Sequence, residues 1–301
     1  MTQAVVLDVG GTFVKYGVAQ DGAIGEAGQF PIRENGTKEE ILGPILAFLK
    51  AHPAPVVAVS IPGPMDYPRG MSLMKHKFAA LYGVSLADWL GERLPGTRTV
   101  FVHDGVAFAL GEMADGALAG CSCAAGVMLG TGLGFALCRA GRVLIGPAKT
   151  PAHPLWNAPY QGGIAEEAVS GRALRRRWRE MGREVLDVRE IAQLACAGDA
   201  QAAKLFEQTG EDMGRMLSAH LDGWGVERIA VGGQIAKSWA LMAPGFARTC
   251  GIEIVPAAHI GDAALRGALA YTQQGDALLR MICPPLKPRE AEKGSGDGSP
   301  G

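Results

Sequence analysis

At 301 residues, 48% hydrophobic and 20% charged, the chain is long enough for two domains, each with its own buried core. Twenty-nine Lys and Arg against 30 Asp and Glu leave a formal charge of −1, which provides no general attraction to nucleic acid or to an anionic membrane surface. Glycine fills 43 positions, roughly twice ordinary usage and without a collagen-like period, the composition of an α/β enzyme whose turns approach a ligand closely.

Met1-Thr2-Gln3 leads into Ala4–Leu7 with no basic segment before it, and the apolar run stops at Asp8, so no secretory leader is read. No apolar run approaches the ~20 residues of a membrane span. The cysteines at 121, 123, 138, 196, 250 and 283 have no framework spacing, which points to reduced thiols in a cytoplasmic protein. Cys121-Ser122-Cys123 is read as buried or loop thiols, because no further metal ligand lies near it in sequence.

In chain order, residues 4–9 read as a buried strand. Val14, Tyr16 and Val18 alternate in a second strand, and 24–30 supply a third. Residues 38–50 place Ile41, Leu42, Ile45, Leu46 and Leu49 on one helical stripe, with acids early and Lys50 late. Val56–Ile61 and Thr99–His103 are strands, and Asp104 opens a helix to about 114. The opening device then recurs: strand 124–129, glycine turn, strand 135–138. Helices are expected at about 165–180, 187–197, 200–222 and 262–273, with strands at 228–231 and 252–255. A further helix follows Gly232-Gly233. From Pro284 the composition is that of a disordered tail.

Three features carry chemistry. Asp8 ends a strand at the turn Gly10-Gly11-Thr12, with Lys15 just beyond. Two glycines let backbone amides face phosphate oxygens, and Asp8 suits Mg²⁺ held through water. The alternative reading is an ordinary hairpin with an exposed acid. Gly130-Thr131-Gly132-Leu133-Gly134 is a second such turn, and two glycine clamps across a cleft can hold a polyphosphate from both sides. Neither matches the P-loop or the dinucleotide fingerprint. Asp104, at a strand-to-helix junction, can take a hydroxyl proton in phosphoryl transfer, or can simply cap the helix.

Taken in order, DVGGTFVK (8–15), IPGPMD (61–66), HDGVAFALGE (103–112), LGTGLG (129–134), EEAVSGRAL (166–174) and VGGQIA (231–236) resemble the ROK-family sugar kinases of the actin/hexokinase-like ATPase superfamily, over about residues 4–272. The resemblance implies an α/β fold of two duplicated actin/hexokinase-like (ribonuclease H-like) lobes with a nucleotide cleft between them. The lobes would be 1–117 on the sugar side, with the catalytic acid, and 118–283 on the nucleotide side. The last helix would pack back on the first lobe, and 284–301 would form the tail. It implies ATP and Mg²⁺ as cofactors and transfer of the γ-phosphoryl to a hydroxyl of a small sugar or sugar derivative, with Asp104 as general base. Gly10, Gly11, Thr12 and Lys15 match the first phosphate motif. Gly130, Thr131, Gly132 and Gly134 match the second, and Gly232 and Gly233 the nucleoside turn. A homodimer is the usual assembly of the family.

The match thins on the sugar side. His103 replaces the usual Asn before the catalytic acid, and Lys77 falls where a sugar-binding Asn is usual. His153 alone survives from a Gly-Glu-x-Gly-His segment, whereas Glu166 is kept. The zinc run of the family has no cysteine here, so no structural zinc is expected. These changes point to a sugar or polyol other than plain glucose, for example one with an anionic or amino substituent; the alternative is that Lys77 faces solvent and His103 simply packs. The alternatives are a sugar-sensing pseudokinase or regulator, and an ATPase activator of the same superfamily. Arg172, Arg175, Arg176, Arg177 and Arg179 form a basic helix face, expected to be solvated or dimer-facing rather than a nucleic-acid contact.

Overall fold

The computed structural model describes residues 3–282. The expected tail and Cys283 lie outside the described residues.

Strand β1 (Gln3–Val9) is built on the apolar run 4–7, with Val5, Val6 and Leu7 buried. The tight turn at 10–12 returns the chain as β2 (Phe13–Gln20), and β3 (Ala23–Pro31) extends the meander antiparallel. Helix α1 (Lys38–Ala51) starts in a capping box, with the Glu40 amide donating to Thr37 Oγ1 at 3.2 Å and the Thr37 amide to Glu40 Oε2 at 2.7 Å. Its stripe of Ile41, Leu42, Ile45 and Leu49 is buried against the sheet, which stabilises the lobe by roughly 1.5–3 kcal/mol per side chain before entropy is counted. Strand β4 (Val56–Ile61) joins β1 in parallel. A ribbon of β5 (Met65–Asp66) and β6 (Met71–Ser72) and helix α2 (Leu86–Arg93) follow, then β7 (Arg98–His103), parallel to β4. The sheet order is β3-β2-β1-β4-β7. Helix α3 (Asp104–Asp115) leads out of it.

The second lobe repeats the plan. Strands β8 (Cys123–Leu129), β9 (Leu133–Arg139) and β10 (Arg142–Ile145) form an antiparallel meander. A ribbon of β11 (Pro159–Tyr160) and β12 (Gly163–Ile164) precedes helices α4 (Ala165–Val169), α5 (Gly171–Glu180), α6 (Val188–Cys196) and α7 (Ala200–His220). Next come β13 (Arg228–Gly232), α8 (Trp239–Ala247), β14 (Glu253–Pro256), α9 (Ala263–Gln274) and β15 (Leu279–Met281). The sheet reads β14-β13-β8-β9-β10-β15. Strip off β15 and the order β10-β9-β8-β13-β14 has the same strand directions as β3-β2-β1-β4-β7. That is a duplicated unit.

One expected helix is two. The 165–180 stretch breaks at Ser170, whose backbone is extended (ψ 166°) and whose hydroxyl accepts the Ala173 amide of α5 at 3.3 Å. Serine caps a helix better than it continues one, so α5 gains its own start.

The lobes meet through helices. Helix α9 lies along α3 and against β1, β2 and β4 of the first sheet. Gly111 and Gly267 sit where α3 and α9 cross. A Cβ at Gly111 would strike the Ala263 carbonyl oxygen, and one at Gly267 the Ala107 carbonyl oxygen, so the close crossing needs both glycines. Glu112 is wholly buried in α3 and accepts the amides of Ala117 (2.8 Å), Ala258 (2.9 Å) and His259 (2.9 Å). A buried carboxylate is tolerated there because backbone donors surround it.

Candidate active site

The duplication puts the functional turns at matching ends of matching strands. Asp8 lies near the end of β1 and accepts the Ser60 hydroxyl of β4 at 3.0 Å. Burial pushes its carboxyl above the ordinary carboxylate range. Lys15 opposes that, the nearby negative charge of Asp104 adds to it, and the Ser60 bond lowers it. Asp8, Lys15 and Asp104 thus occupy one electrostatic neighbourhood.

Gly10 and Thr12 are exposed at the first turn, where the Gly10 amide donates to Phe13 O at 3.0 Å. A Cβ at Gly11 would meet the end of the Glu34 side chain, which would have to move aside. Lys15 Nζ donates to the Gly261 carbonyl at 2.7 Å and so bridges to the loop before α9.

Asp104 is the first residue of α3 and its side chain is 29% exposed. The Gly105 amide is shared by two acceptors, Asp104 Oδ1 at 2.7 Å and His103 Nδ1 at 3.0 Å. His103 is therefore the N-cap of α3, a place usually taken by Asn, Asp or Ser. Burial holds its imidazole below its usual pKa, with Asp104 pulling the other way. The ring is neutral at pH 7, and its 3.0 Å approach to Asp104 Oδ1 is not an ion pair there. The Tyr67 ring meets it edge-on, centroids 5.6 Å apart, and the phenol donates to Ile61 O at 2.9 Å. Burial, then Asp104, raises the phenol well above its ordinary pKa, so it stays protonated.

On the second lobe, Gly130 N bonds Gly132 O at 3.0 Å, and the Gly171 amide at the start of α5 donates to Gly130 O at 2.8 Å. Thr131 is exposed at the tip. Gly134 faces Met128 across the β8–β9 ladder. Gly232 packs under Phe108 of α3. Gly233, at φ +88°, lies against the Leu129 backbone, which only a glycine there permits. The Gly232-Gly233 turn and the 130–134 turn are therefore built on each other. Glu166 Oε2 accepts the Leu133 amide at 2.9 Å and Oε1 pairs with Arg172.

Between the loop after β6 and helices α4–α5 lies a chamber of about 980 Å³, lined by His76 from the first lobe and by Glu166, Ser170, Arg172, Arg176 and Arg179 from the second. His76 lines this chamber, and half-buried Lys77 follows it in the same loop. His153 stacks on His220 (centroids 4.2 Å) and lies 5.5 Å from the Trp224 ring, within the second lobe. Burial lowers its pKa, and lowers that of His220 to about 4. Of the basic helix face, Arg177 turns inward to Asp212 at 3.1 Å, and the other four stay exposed. Ser60, Tyr67, His76 and Glu34 were not singled out by motif. Ser60 alone left a signal, as a polar residue within the apolar run of β4.

An implied Mg²⁺ fits this end of the cleft. A carboxylate whose charge is disfavoured by burial and by a neighbouring acid is stabilised by a divalent cation that also meets phosphates and waters. Among the described residues no group of three or more His, Cys, Asp or Glu forms a ready-made metal cage. The segment 159–164, where the family carries its zinc run, forms the β11–β12 ribbon and contains no cysteine. No described helix is long and apolar enough to cross a membrane.

Two duplicated lobes, each opening on a strand, a glycine turn and a second strand, with an acid at the head of the linking helix, match the actin-like ATPase fold of sugar kinases. The chain belongs to the ROK family, whose family model matches residues 4–274. It is 25% identical to a glucokinase of Thermotoga maritima, over 89% of this chain and 96% of that one. A ROK family glucokinase of Streptomyces griseus, solved with glucose and AMPPNP, superposes with a TM-score of 0.72 at 22% identity, over 91% of this chain and 100% of that one. A ROK family transcriptional regulator, a homologue of the E. coli MLC protein, superposes with a TM-score of 0.76 at 19% identity, over 90% of this chain and 78% of that one. The chain is therefore sugar-kinase-like, at a distance that leaves its substrate to chemistry.

Proposed function

We propose that this protein is an ATP- and Mg²⁺-dependent carbohydrate kinase in which Asp104 accepts the proton of a sugar hydroxyl as its oxygen attacks the γ-phosphorus. The observation that supports it most directly is the Asp104 carboxylate at the head of α3, 29% exposed and held by the Gly105 amide, near enough to Asp8 for its charge to act on that group. The Gly105 amide orients the Asp104 carboxylate, and His103 braces the same amide, so the base is held without a second carboxylate. Gly10, Gly11 and Thr12 hold the donor phosphates from one lobe, and Gly130, Thr131, Gly132 and Gly134 hold them from the other. Gly232 and Gly233 line the nucleoside side. Asp8 would hold Mg²⁺ through water, and the bound ion offsets the charge carried by the transferred phosphoryl group. Lys77, His103, His153 and Glu166 are the residues we assign to the acceptor. Lobes of 1–117 and 118–283 would close to exclude water, the competing acceptor.

The acceptor is a small sugar or polyol unlike plain glucose, since Lys only donates where Asn both donates and accepts. We place the enzyme in the cytoplasm as a homodimer that engages neither nucleic acid nor membrane. ADP release with ATP·Mg²⁺ across neutral, amino and acidic sugars and polyols tests the reading. Acceptor-stimulated release that disappears in Asp104→Asn supports it, and ATP hydrolysis indifferent to every acceptor overturns it.

One observation favours a second reading. Glu166 is occupied by Arg172 and the Leu133 amide, which leaves less of it for a sugar. A ligand-sensing pseudokinase would bind nucleotide and sugar yet transfer nothing across the same panel.

A further inference from the structure

The wall of the interlobe chamber carries more positive charge than the kinase reading uses. Arg172, Arg175, Arg176 and Arg179 follow i, i+3, i+4, i+7 spacing, so they project from one face of α5 along about 10 Å of helix. The carboxylates around them neutralise only part of the row, because Glu166 pairs with Arg172 and Glu180 with Arg176 while the others are taken by backbone amides. Glu166 is bonded to Leu133 N as well as to Arg172, and Glu167 Oε2 accepts the Ile164 amide at 3.4 Å. Asp187 caps α6 by accepting the Glu190 amide at 2.8 Å. Arg176 reaches Glu180 at 3.6 Å and the Glu167 carbonyl at 2.7 Å. Arg175 has only a 3.4 Å contact to Gly171 O, and neither Arg175 nor Arg179 meets a carboxylate among the described residues. Like charges spaced i, i+4 destabilise a helix. On a concave wall, a bound anion would offset that cost. The facing loop contributes His76 and no acid to the lining.

We propose that this face of α5 binds a phosphate-rich anion, next to but separate from the glycine turns that hold the donor's terminal phosphates. A row of planar guanidinium forks matches successive phosphate oxygens better than it matches one carboxylate. The phosphates could belong to an inorganic chain or to a phosphorylated sugar. The site extends the kinase reading, but it is measured by binding alone, so either can fail without the other.

The test is calorimetric titration of inorganic tripolyphosphate into the full chain saturated with AMPPNP and Mg²⁺, with glucose 6-phosphate titrated in parallel. Binding should persist beside AMPPNP, weaken with added salt, and fall about tenfold or more in Arg175→Ser/Arg179→Ser. AMPPNP affinity should be unchanged in that variant, and Arg175→Lys/Arg179→Lys should recover part of the loss. Whichever of the two anions is held more tightly identifies the source of the phosphates. Displacement of tripolyphosphate by AMPPNP, an equal loss of AMPPNP affinity in the serine variant, or failure of both anions to bind would overturn the site. If AMPPNP fails to bind at all but tripolyphosphate binding still depends on the two arginines, the site stands and the kinase reading falls.

Discussion

Lys15 Nζ lies 2.7 Å from the Gly261 carbonyl oxygen and joins the strand after the Gly10-Gly11-Thr12 turn to the loop that starts α9. The bond links β2 of one lobe to the helix that closes the other, and the same ammonium lowers the proton affinity of Asp8. Replacing Lys15 by Met should remove both effects. We expect a stability loss of about 1 kcal/mol for an exposed charge-assisted bond, together with weaker Mg²⁺-nucleotide binding. Lys15→Arg keeps the charge and should retain most nucleotide affinity, which isothermal titration would show.

Asp8 offers a test with a definite sign. Its folded-state pKa is raised above the ordinary 3.8, so the protonated form favours folding, and that contribution disappears as pH rises through the folded pKa. At neutral pH the ionised group is a cost to the ligand-free fold. Asp8→Asn can keep the Ser60 bond and should melt higher than wild type at pH 7, with the gap closing below about pH 4, near the ordinary carboxylate value. It should also lose Mg²⁺-dependent nucleotide binding. A variant that melts no higher at pH 7 would show that Lys15 and Ser60 already outweigh the burial.

The glycine turns themselves were legible because such turns are local. A strand, two or three glycines and a second strand give the same backbone wherever they occur, and the β1–β2 and β8–β9 turns follow that pattern. The long helices were legible from their stripes, α1 above all. What escaped is made by partners distant in sequence. Ser60 reaches Asp8 across 52 residues, and Glu112 meets His259 across 147. Short elements escaped too. β10 and β15 close the edge of the second sheet in parallel, and four- and three-residue strands leave little periodicity to read. His103 is read as a sugar contact in sequence, and what the fold shows is its place as the cap of α3.

His220 gives a stability profile that is flat above pH 6.5 and falls below it. Burial lowers its pKa from 6.5 to about 4, with the neighbouring His153 adding to the effect. The unfolded chain binds this proton first, so stability declines as pH drops from 6.5 toward 4, by no more than about 1.4 kcal/mol per unit and less where water reaches the ring. His220→Phe keeps the stack on His153 and the edge contact with Phe135, whose centroid lies 5.1 Å away, and gives up the bond to His153 O. Urea denaturation at pH 7 and pH 5 should show a smaller difference between the two pH values in the variant than in wild type.

Asp104→Asn is the substitution on which the chemistry turns. Asparagine keeps an Oδ1 for the Gly105 amide, and His103 still caps α3, so the helix start is preserved. What is removed is a proton acceptor and one negative charge. If Asp104 is the general base, turnover should fall by about 10²–10⁴ with little change in sugar affinity. Loss of that charge also takes away one of the influences raising the Asp8 carboxyl, so Asp8 should titrate lower in the variant by NMR. The two readouts separate the roles. A drop in kcat alone places Asp104 on the proton, whereas a matching loss of nucleotide affinity would place it on the metal-nucleotide side of the cleft.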